Sequence, residues 1–362
     1  MGSASRALLL AAVAAFAAHA RAQSSPSKDE RVVPPSFPWT VEPLDALYGH
    51  LTEGGFQEPI GVWFEPKGRE LYVADSRNGL IGIFDDERIP VFAFGGAAQL
   101  VEPKAVVATE DGAIYVLDAQ QFELRAFTYR GEPKPVLRFA RPPLVVKASK
   151  EGSPSDAPAK AAKPVGALLR IGAFARDAKG RWIVGDLDEG RVLVYDAELR
   201  FQHELEASAR AKRFQTPADI AVSSAGLVAV ADMQTTPAIH VYAADGKLLA
   251  AFGERDIGLM NFTAPIAVTF DEQGFLYCVD LLRHDVKVFT SKGDFVHHFG
   301  GWSTPETRGH APGEMLYPTD IAIDPKGAIY VAERFGQRVQ AFVRKPKVEP
   351  EKPSAPTPDA PK

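Results

Sequence analysis

The stretch Thr319-Asp-Ile-Ala-Ile-Asp-Pro-Lys-Gly-Ala-Ile-Tyr-Val-Ala-Glu333, followed by Arg338-Val-Gln-Ala-Phe-Val343, decides the fold. Short runs of β-branched and aromatic residues alternate in it with the glycine, proline and acidic residues that favour turns. Lys326-Gly327 supplies the positive φ that a tight hairpin between two strands needs. The stretch therefore predicts three successive antiparallel strands.

The end of the second of these strands recurs six times along the chain. Each copy has an acid six residues after a turn glycine, except in the first copy, where the distance is seven. An aromatic residue follows each acid after nine residues, except in the fourth copy, where the distance is ten. A fourth apolar run ends in Phe-Gly between copies, as in Val91-Phe-Ala-Phe-Gly95. Most acids lie 43 to 53 residues apart, which fits one four-stranded propeller blade per copy. The six acids are Asp75, Asp118, Asp186, Asp232, Asp280 and Glu333.

The repeat predicts an all-β fold, a six-bladed β-propeller of four-stranded antiparallel blades. The sixth copy lacks a fourth strand of its own, because a proline-rich tail follows its third strand. We expect residues 38–51, with the run from Leu44 to Gly49, to pair beside the strand that ends at Phe342. This N-terminal strand would close the ring, which buries each blade between two neighbours.

Segments outside the repeat have other compositions. The N-terminus has the layout of a secretory signal peptide: a charged residue, Arg6, then an apolar run over residues 7–18 and then Ala20-Arg21-Ala22. The apolar run is shorter than the ~20 residues that a bilayer-spanning helix needs. The mature protein is therefore expected to be exported, periplasmic or extracellular, without a transmembrane segment. The predicted organisation is a signal peptide over 1–22, a flexible leader over 23–37, the propeller over 38–345, a disordered insert at about 142–165 and a disordered proline-rich tail over 346–362.

Charge and cysteine content exclude several classes of function. The chain has 41 basic and 46 acidic side chains, and removal of residues 1–22 changes the net charge from −5 to −7. Nucleic acid is therefore not an expected partner, since its binders carry a basic balance or stripe. Cys278 is the single cysteine, so it is expected to be a buried core residue rather than part of a disulfide or a thiolate zinc site.

Three segments resemble the NHL repeat: Gly313-Glu-Met-Leu-Tyr-Pro-Thr-Asp-Ile-Ala-Ile-Asp324, Thr216-Pro-Ala-Asp-Ile-Ala-Val222 and Arg283-His-Asp-Val-Lys-Val-Phe289. The Asn-His-Leu-like triplet that names this family is held only loosely, as Arg77-Asn78-Gly79, Leu282-Arg283-His284 and Phe335-Gly336-Gln337. The resemblance covers residues 58–345 and implies the six-bladed fold. Propellers similar to it include lyases, lactonase-like hydrolases, RNA binders and interaction modules, so fold alone does not set the function.

The resemblance also implies where a metal would lie. Lyases of this architecture gather several histidines at the openings of their inner strands, and lactonase-like relatives use carboxylates with calcium. None of the six inner-strand openings contains histidine. Two of them contain an acid, Asp219 or Asp320, and in two others the acids Glu58 and Glu102 directly precede the opening. We therefore predict no cofactor, with Ca²⁺ or zinc as the alternative. The six repeated acids are expected to accept backbone hydrogen bonds in their turns.

The remaining polar and aromatic candidates fall on one rim of the predicted ring. Some follow the second strands and others precede or open the inner strands, and arginine and aromatic residues are favoured at interface hot spots. The predicted function is a non-catalytic binding or scaffold module for a protein, peptide or carbohydrate in a cell-envelope or extracellular assembly. The alternative is a metal-dependent lyase or lactonase-like hydrolase. The predicted rim residues are Arg77, Asn78, Phe214, Asp219, Phe262, Arg283, His284, Tyr317, Asp320 and Arg334.

Overall fold

A computed structural model describes residues 36–50, 54–143, 165–302 and 311–347. The predicted signal peptide and nearly all of the predicted leader, insert and tail lie outside the described residues. Within those ranges, no helix is long and apolar enough to span a bilayer. The described residues form 23 strands.

The strands form six antiparallel sheets arranged as a six-bladed β-propeller, which confirms the predicted fold. We write each blade from its inner to its outer strand. The first blade contains β2 (Pro59–Glu65), β3 (Glu70–Asp75), β4 (Leu80–Phe84) and β5 (Pro90–Gly95). The second contains β6 (Pro103–Ala108), β7 (Ile114–Asp118) and β8 (Glu123–Phe127). The third contains β9 (Ile171–Arg176), β10 (Trp182–Asp186), β11 (Arg191–Tyr195) and β12 (Phe201–Leu205).

The other three blades repeat this order. The fourth contains β13 (Pro217–Val222), β14 (Val228–Asp232), β15 (Ile239–Tyr242) and β16 (Leu248–Phe252). The fifth contains β17 (Pro265–Phe270), β18 (Leu276–Asp280), β19 (Asp285–Phe289) and β20 (Phe295–Gly300). The sixth contains β21 (Pro318–Ile323), β22 (Ile329–Glu333), β23 (Arg338–Pro346) and β1 (Trp39–Leu47).

The N-terminal strand closes the ring as predicted. β1 pairs antiparallel with β23, and Pro43 lies opposite Phe342 in the register. The pairing continues beyond the strands, where the Lys347 N–H donates to the Pro38 carbonyl at 2.9 Å. Phe37 is buried just before β1 and stacks on His297 of the fifth blade, with ring centroids 4.9 Å apart. The first described residues therefore join the fifth blade to the sixth.

The second blade differs from the other five because its outer position holds an irregular segment. Only two backbone bonds attach this segment to β8, from Lys134 to Ala126 at 2.7 Å and from Leu137 to Leu124 at 2.9 Å. Pro133 and Pro135 interrupt it, and proline has no N–H to donate to a ladder. A continuous fourth strand cannot form along these residues.

Buried apolar clusters fill all six interfaces between neighbouring blades. Side chains alternate between the two faces of a strand. In β3, Val73 faces the sixth blade, whereas Tyr72 and Ala74 face the second. This double burial explains why the second strands are continuous apolar runs in the sequence. Cys278 is buried at the interface of the fourth and fifth blades, as expected.

The six repeated acids are fully buried and structural, as predicted. Asp232 accepts N–H groups from its own turn, at Gln234 and Thr235, both at 2.8 Å. It also accepts the N–H groups of Gln215 and Thr216, at 2.7 and 2.9 Å. These two residues precede the inner strand of the same blade, so one carboxylate fixes both loops.

Candidate functional site

A β-bulge at the start of every inner strand builds the candidate site. Pro103 lies opposite Asp118 and Ala105 lies opposite Leu117, so Lys104 is an extra residue without a partner in the register. Bulges redirect side chains and are common next to functional sites. All six extra residues line one cavity, which therefore lies on the propeller axis. They are Ile60, Lys104, Gly172, Ala218, Ile266 and Thr319.

The axial cavity has a volume of about 520 Å³ and mainly apolar walls, which include Ile60, Phe174 and Ile266. Its mouth is formed by the loops that enter the inner strands and by those that follow the second strands. We call this side of the propeller the upper face. Four charged residues lie at the mouth: Glu58, Arg77, Glu102 and Arg334.

A second cavity of about 240 Å³ lies below the first. It is lined by the residues that come after the bulges in the inner strands. The two cavities share Ala105, Phe174, Asp219 and Asp320 in their walls. These four residues therefore mark the base of the upper cavity. Lys104 lines the upper cavity alone.

Lys104, Asp219 and Asp320 form what we call the axial triad. Lys104 Nζ donates to two backbone carbonyls, of Gly172 at 2.7 Å and Ala218 at 3.3 Å. Among the described residues, no carboxylate lies within 4.0 Å of this ammonium. The triad thus contains three ionisable groups in one cavity without a direct ion pair.

The two aspartates connect neighbouring blades through the backbone. Asp219 of the fourth blade accepts the Val268 N–H of the fifth at 2.8 Å. Asp320 of the sixth blade accepts the Val62 N–H of the first, also at 2.8 Å. Each carboxylate therefore holds the next inner strand while it faces the cavity.

Burial changes the proton affinity of all three groups of the triad. Burial lowers the pKa of the Lys104 ammonium, and the nearby Asp219 and Asp320 carboxylates oppose that change. Burial raises the pKa of Asp219 to about 6, against the effect of its backbone hydrogen bonds. Burial and the neighbouring Asp219 charge raise the pKa of Asp320 well above its ordinary value. Groups perturbed in this way within a cavity are candidates for function.

The structure brings four of the predicted rim residues to this cavity. Asp219 and Asp320 lie at its base, and Arg77 is exposed at its mouth. Arg334, also at the mouth, pairs with Glu58 at 2.9 Å. This pair joins the sixth blade to the first at the edge of the opening.

Three predicted rim residues have other places in the structure. Phe214 and Phe262 are not on the rim, since only 2% and 0% of their surfaces are exposed. They fill blade interfaces, where Phe214 packs on His240 and Phe262 on Phe289. The loops that carry them pass over these interfaces before entering the inner strands. Asn78 donates to the Asp75 carboxylate at 2.6 Å and so fixes its own loop.

The remaining three predicted residues support a separate surface on the upper face. His284 is buried, and its Nδ1 lies 2.8 Å from the Met315 carbonyl oxygen. Trp302 stacks on the His284 ring at 3.9 Å and is 62% exposed. Tyr317 packs between His284, at 4.6 Å, and Phe335, at 5.0 Å. Arg283 donates to the carbonyl of Ile257 at 2.6 Å.

Exposed apolar side chains cover this surface, which we call the apolar arc. It reaches the cavity mouth, because Phe335 lies beside Arg334, whose guanidinium is 5.4 Å from the Phe335 ring centre. Large exposed apolar surfaces mark interaction sites. The arc consists of Ile257, Leu259, Met260, Leu282, Trp302 and Phe335.

Lys104 is the site residue that sequence reasoning missed. The signal for it lies in the aligned inner-strand openings, where five of the six bulge positions hold an uncharged residue. A cation at that position is an exception within a strict repeat. It indicates a role on the axis.

The described histidines lie away from the axial cavity. His240 is buried between the third and fourth blades, where its Nε2 lies 3.2 Å from the Ser208 hydroxyl. His297 stacks on Phe37, and His284 supports Trp302. Within the described ranges, no group of three or more histidine, cysteine, aspartate or glutamate residues has an arrangement that could hold a metal.

Comparisons with known proteins define the fold class. No family model matches the chain, and no curated protein is similar to it in sequence. A streptogramin B lyase structure has a TM-score of 0.52 and 12% identity, over 85% of this chain and 98% of that one. A virginiamycin B lyase from Staphylococcus aureus has a TM-score of 0.50 and 11% identity, over 84% and 99%.

A third structure is a catalytically inactive histidine-to-alanine variant of the Staphylococcus aureus virginiamycin B lyase with quinupristin. It has a TM-score of 0.52 and 12% identity, over 84% of this chain and 99% of that one. At such identities the likeness establishes a six-bladed β-propeller and leaves the function open. The NHL-repeat resemblance stays a prediction.

Proposed function

We propose that this protein is an exported, non-catalytic binding module whose axial cavity receives a polar group of its partner. The partner would be a peptide, protein or carbohydrate of a cell-envelope or extracellular assembly. The observation that carries this proposal is the 520 Å³ cavity with the axial triad at its base. A concave site with apolar walls and a few convergent polar groups is the usual geometry for a ligand.

The apolar arc supports a partner larger than the cavity. Ile257 and Trp302 are 82% and 62% exposed on the same face as the cavity mouth. Tryptophan, methionine, phenylalanine and arginine are enriched in protein interfaces, and all four occur on or beside the arc. A partner that fills the cavity would therefore meet an apolar surface next to the mouth.

The positions of the described chain ends fit a module that is attached at one side. Trp39 lies opposite Pro346, and Arg344 Nε donates to the Gly327 carbonyl at 3.1 Å in the first hairpin turn of the sixth blade. These hairpin turns lie on the lower face, opposite the cavity mouth. Trp39 and Pro346 therefore both lie on the lower face.

A metal-dependent lyase is the second candidate, and its support is the fold shared with the virginiamycin B lyase. In that enzyme, replacement of one histidine by alanine gives a catalytically inactive protein. The described histidines of this chain lie outside the axial cavity, in loops or in the third and outer strands of the blades. Their positions favour binding over lyase chemistry.

A cavity-filling substitution tests the proposed function. Ala119→Trp places a large ring at the cavity wall, whereas Ala197→Trp places the same ring on an exposed turn of the lower face. Peptide and glycan arrays would first identify ligands of the wild-type protein. We expect Ala119→Trp to weaken binding of such ligands at least about tenfold, which equals about 1.4 kcal/mol, and Ala197→Trp to leave it unchanged. Unchanged binding by Ala119→Trp would contradict the proposal.

Quinupristin distinguishes the second candidate. Wild-type protein would be incubated with quinupristin and divalent metal ions, and the antibiotic would be followed by mass spectrometry. We expect quinupristin to persist unchanged. Its consumption, with loss of the activity on chelation, would establish the lyase instead.

A further inference from the structure

Two lysines in this chain are removed from bulk water in different ways. Lys287 is fully buried and pairs with two carboxylates, Asp280 at 3.1 Å and Asp285 at 2.8 Å. Lys104 lies at the cavity wall, where its amine donates to the carbonyls of Gly172 and Ala218. Lys287 therefore lies between two carboxylates, whereas the hydrogen-bond acceptors around Lys104 are neutral carbonyls.

The partners of Lys104 match an uncharged amine. A neutral amine has two N–H bonds and one lone pair, and the two carbonyls accept both N–H groups. An ammonium ion would have a third N–H group to satisfy, with no described carboxylate within 4.0 Å. Among the described residues, Lys104 is the single lysine that lines the axial cavity.

We propose that Lys104 forms a reversible imine with a neutral aldehyde or ketone that enters the axial cavity. This inference rests on the proposed function, since it requires the cavity to admit a ligand. It assigns the ligand a carbonyl group and assigns Lys104 a covalent role.

The reaction balances without another reactant. The Lys104 lone pair attacks the carbonyl carbon, a C–N bond forms, and a proton moves from nitrogen to oxygen to give a carbinolamine. Its hydroxyl group then takes a proton and leaves as water while the C=N bond forms, and the nitrogen gives up its remaining proton, which replaces the one consumed. One water molecule is released, and hydrolysis by water reverses the step. Desolvated lysines act as nucleophiles in such reactions.

Asp219 and Asp320 suit the proton transfers of this reaction. Both line the same cavity, and both interact electrostatically with Lys104. Burial raises the pKa of each carboxyl group, to about 6 for Asp219, so that Asp219 exists in both protonation states at about pH 6. A carboxyl group in this state can donate a proton to the leaving hydroxyl and accept one from nitrogen.

The cavity selects neutral carbonyl compounds over oxo acids. Its walls at Ile60, Phe174 and Ile266 are apolar, and a carboxylate beside them would lose its hydration. Butanal is therefore a suitable probe, and glyoxylate is the matched charged probe with the same aldehyde group.

Reductive trapping tests the inference. Folded protein would be treated with butanal and cyanoborohydride at about pH 6, far below the ordinary lysine pKa of about 10.4, and digested for peptide mapping. We expect Lys104 to carry the alkyl group before the exposed Lys67 and Lys326 do, and Lys287 to stay unmodified. Labelling by glyoxylate should be at least about tenfold slower. Alkylation of the exposed lysines without preference for Lys104 would overturn the inference.

Two variants separate this inference from the proposed function. Lys104→Arg keeps N–H donors for the two carbonyls but removes the reactive amine, so preferential labelling should disappear while the fold is retained. Ala119→Trp should slow the labelling of Lys104 at least about tenfold. Unchanged labelling would contradict the inference, because it would show that the reagent does not reach Lys104 through the cavity mouth. If Lys104 stays unlabelled while Ala119→Trp still blocks an array ligand, the imine is refuted and the binding function stands.

Discussion

Buried charges occur in two regions of this propeller, and the two regions differ in how completely the charges are paired. At the end of β18, Asp280 pairs with Lys287 and accepts the N–H groups of Thr263 and Ala264 at 2.8 and 2.9 Å. On the axis, Lys104 and Asp219 share a cavity without a direct ion pair. Complete pairing fixes a loop, whereas incomplete pairing leaves hydrogen-bonding and proton-transfer capacity for a ligand.

The same acid type therefore has different roles within one repeat. The acids at the ends of the second strands occur in every blade, because every blade has the same two loops to hold. The axial acids occur in the fourth and sixth blades alone, at Asp219 and Asp320. A feature that departs from the repeat is the better indicator of function.

The largest effect is expected from removing a paired charge. Asp280→Ala leaves the Lys287 ammonium buried with one partner fewer and leaves two backbone N–H groups without an acceptor. We expect the free energy of unfolding to fall by about 3–5 kcal/mol, measured by denaturant titration. The matched axial variant Asp320→Ala should cost clearly less, because it leaves no described cation without an ion-pair partner. Equal losses would remove the distinction between the two regions.

A smaller effect is expected in the pH dependence of the axial region. The pKa of Asp219 is about 6 in the folded protein, against about 3.9 in an unfolded chain. Folding thus favours the protonated form, whose stabilising contribution is complete below about pH 4 and is lost as pH rises through about 6. The stability advantage of wild type over Asp219→Asn should shrink by about 2 kcal/mol between these pH values. An advantage that grows with pH would contradict the raised pKa.

The smallest effect on stability is expected on the apolar arc. Trp302 and Phe335 are 62% and 53% exposed, so replacing either by alanine should change the free energy of unfolding by less than about 0.5 kcal/mol. Binding of a macromolecular partner should weaken by about 1–2 kcal/mol, as expected for a truncated interface anchor. Ala197→Trp serves as the lower-face control. Unchanged affinity in both arc variants would confine the binding site to the cavity.

The fold could be predicted because its determinants are local and repeated. The glycine, acid and aromatic positions around Tyr330 specify two strands and their turns, and the missing fourth strand of the sixth blade pointed to residues 38–51. The interrupted edge of the second blade depends on Pro133 and Pro135, which the repeat does not include. Its irregular course therefore became visible in the structure alone.

The site could be predicted in part. Asp219 and Asp320 were found because they occupy aligned openings of inner strands. Phe214 and Phe262 occur at similar distances before such strands, but distance along the chain does not fix the direction of a side chain. Lys104 was missed because a search for metal ligands considers acids and histidines. In addition, the partners of Lys104 are backbone carbonyls of other blades, which no side-chain pattern in the sequence indicates.

The pKa of Lys104 tests the incomplete pairing of the axial region most directly. Side-chain NMR of labelled lysines would follow its titration, with Lys104→Arg to assign the signal. We predict a pKa below the ordinary lysine value of about 10.4, because burial disfavours the ammonium ion and no described carboxylate pairs with it. A pKa at or above the ordinary value would contradict the account, because it would show that the cavity stabilises the ammonium ion of Lys104.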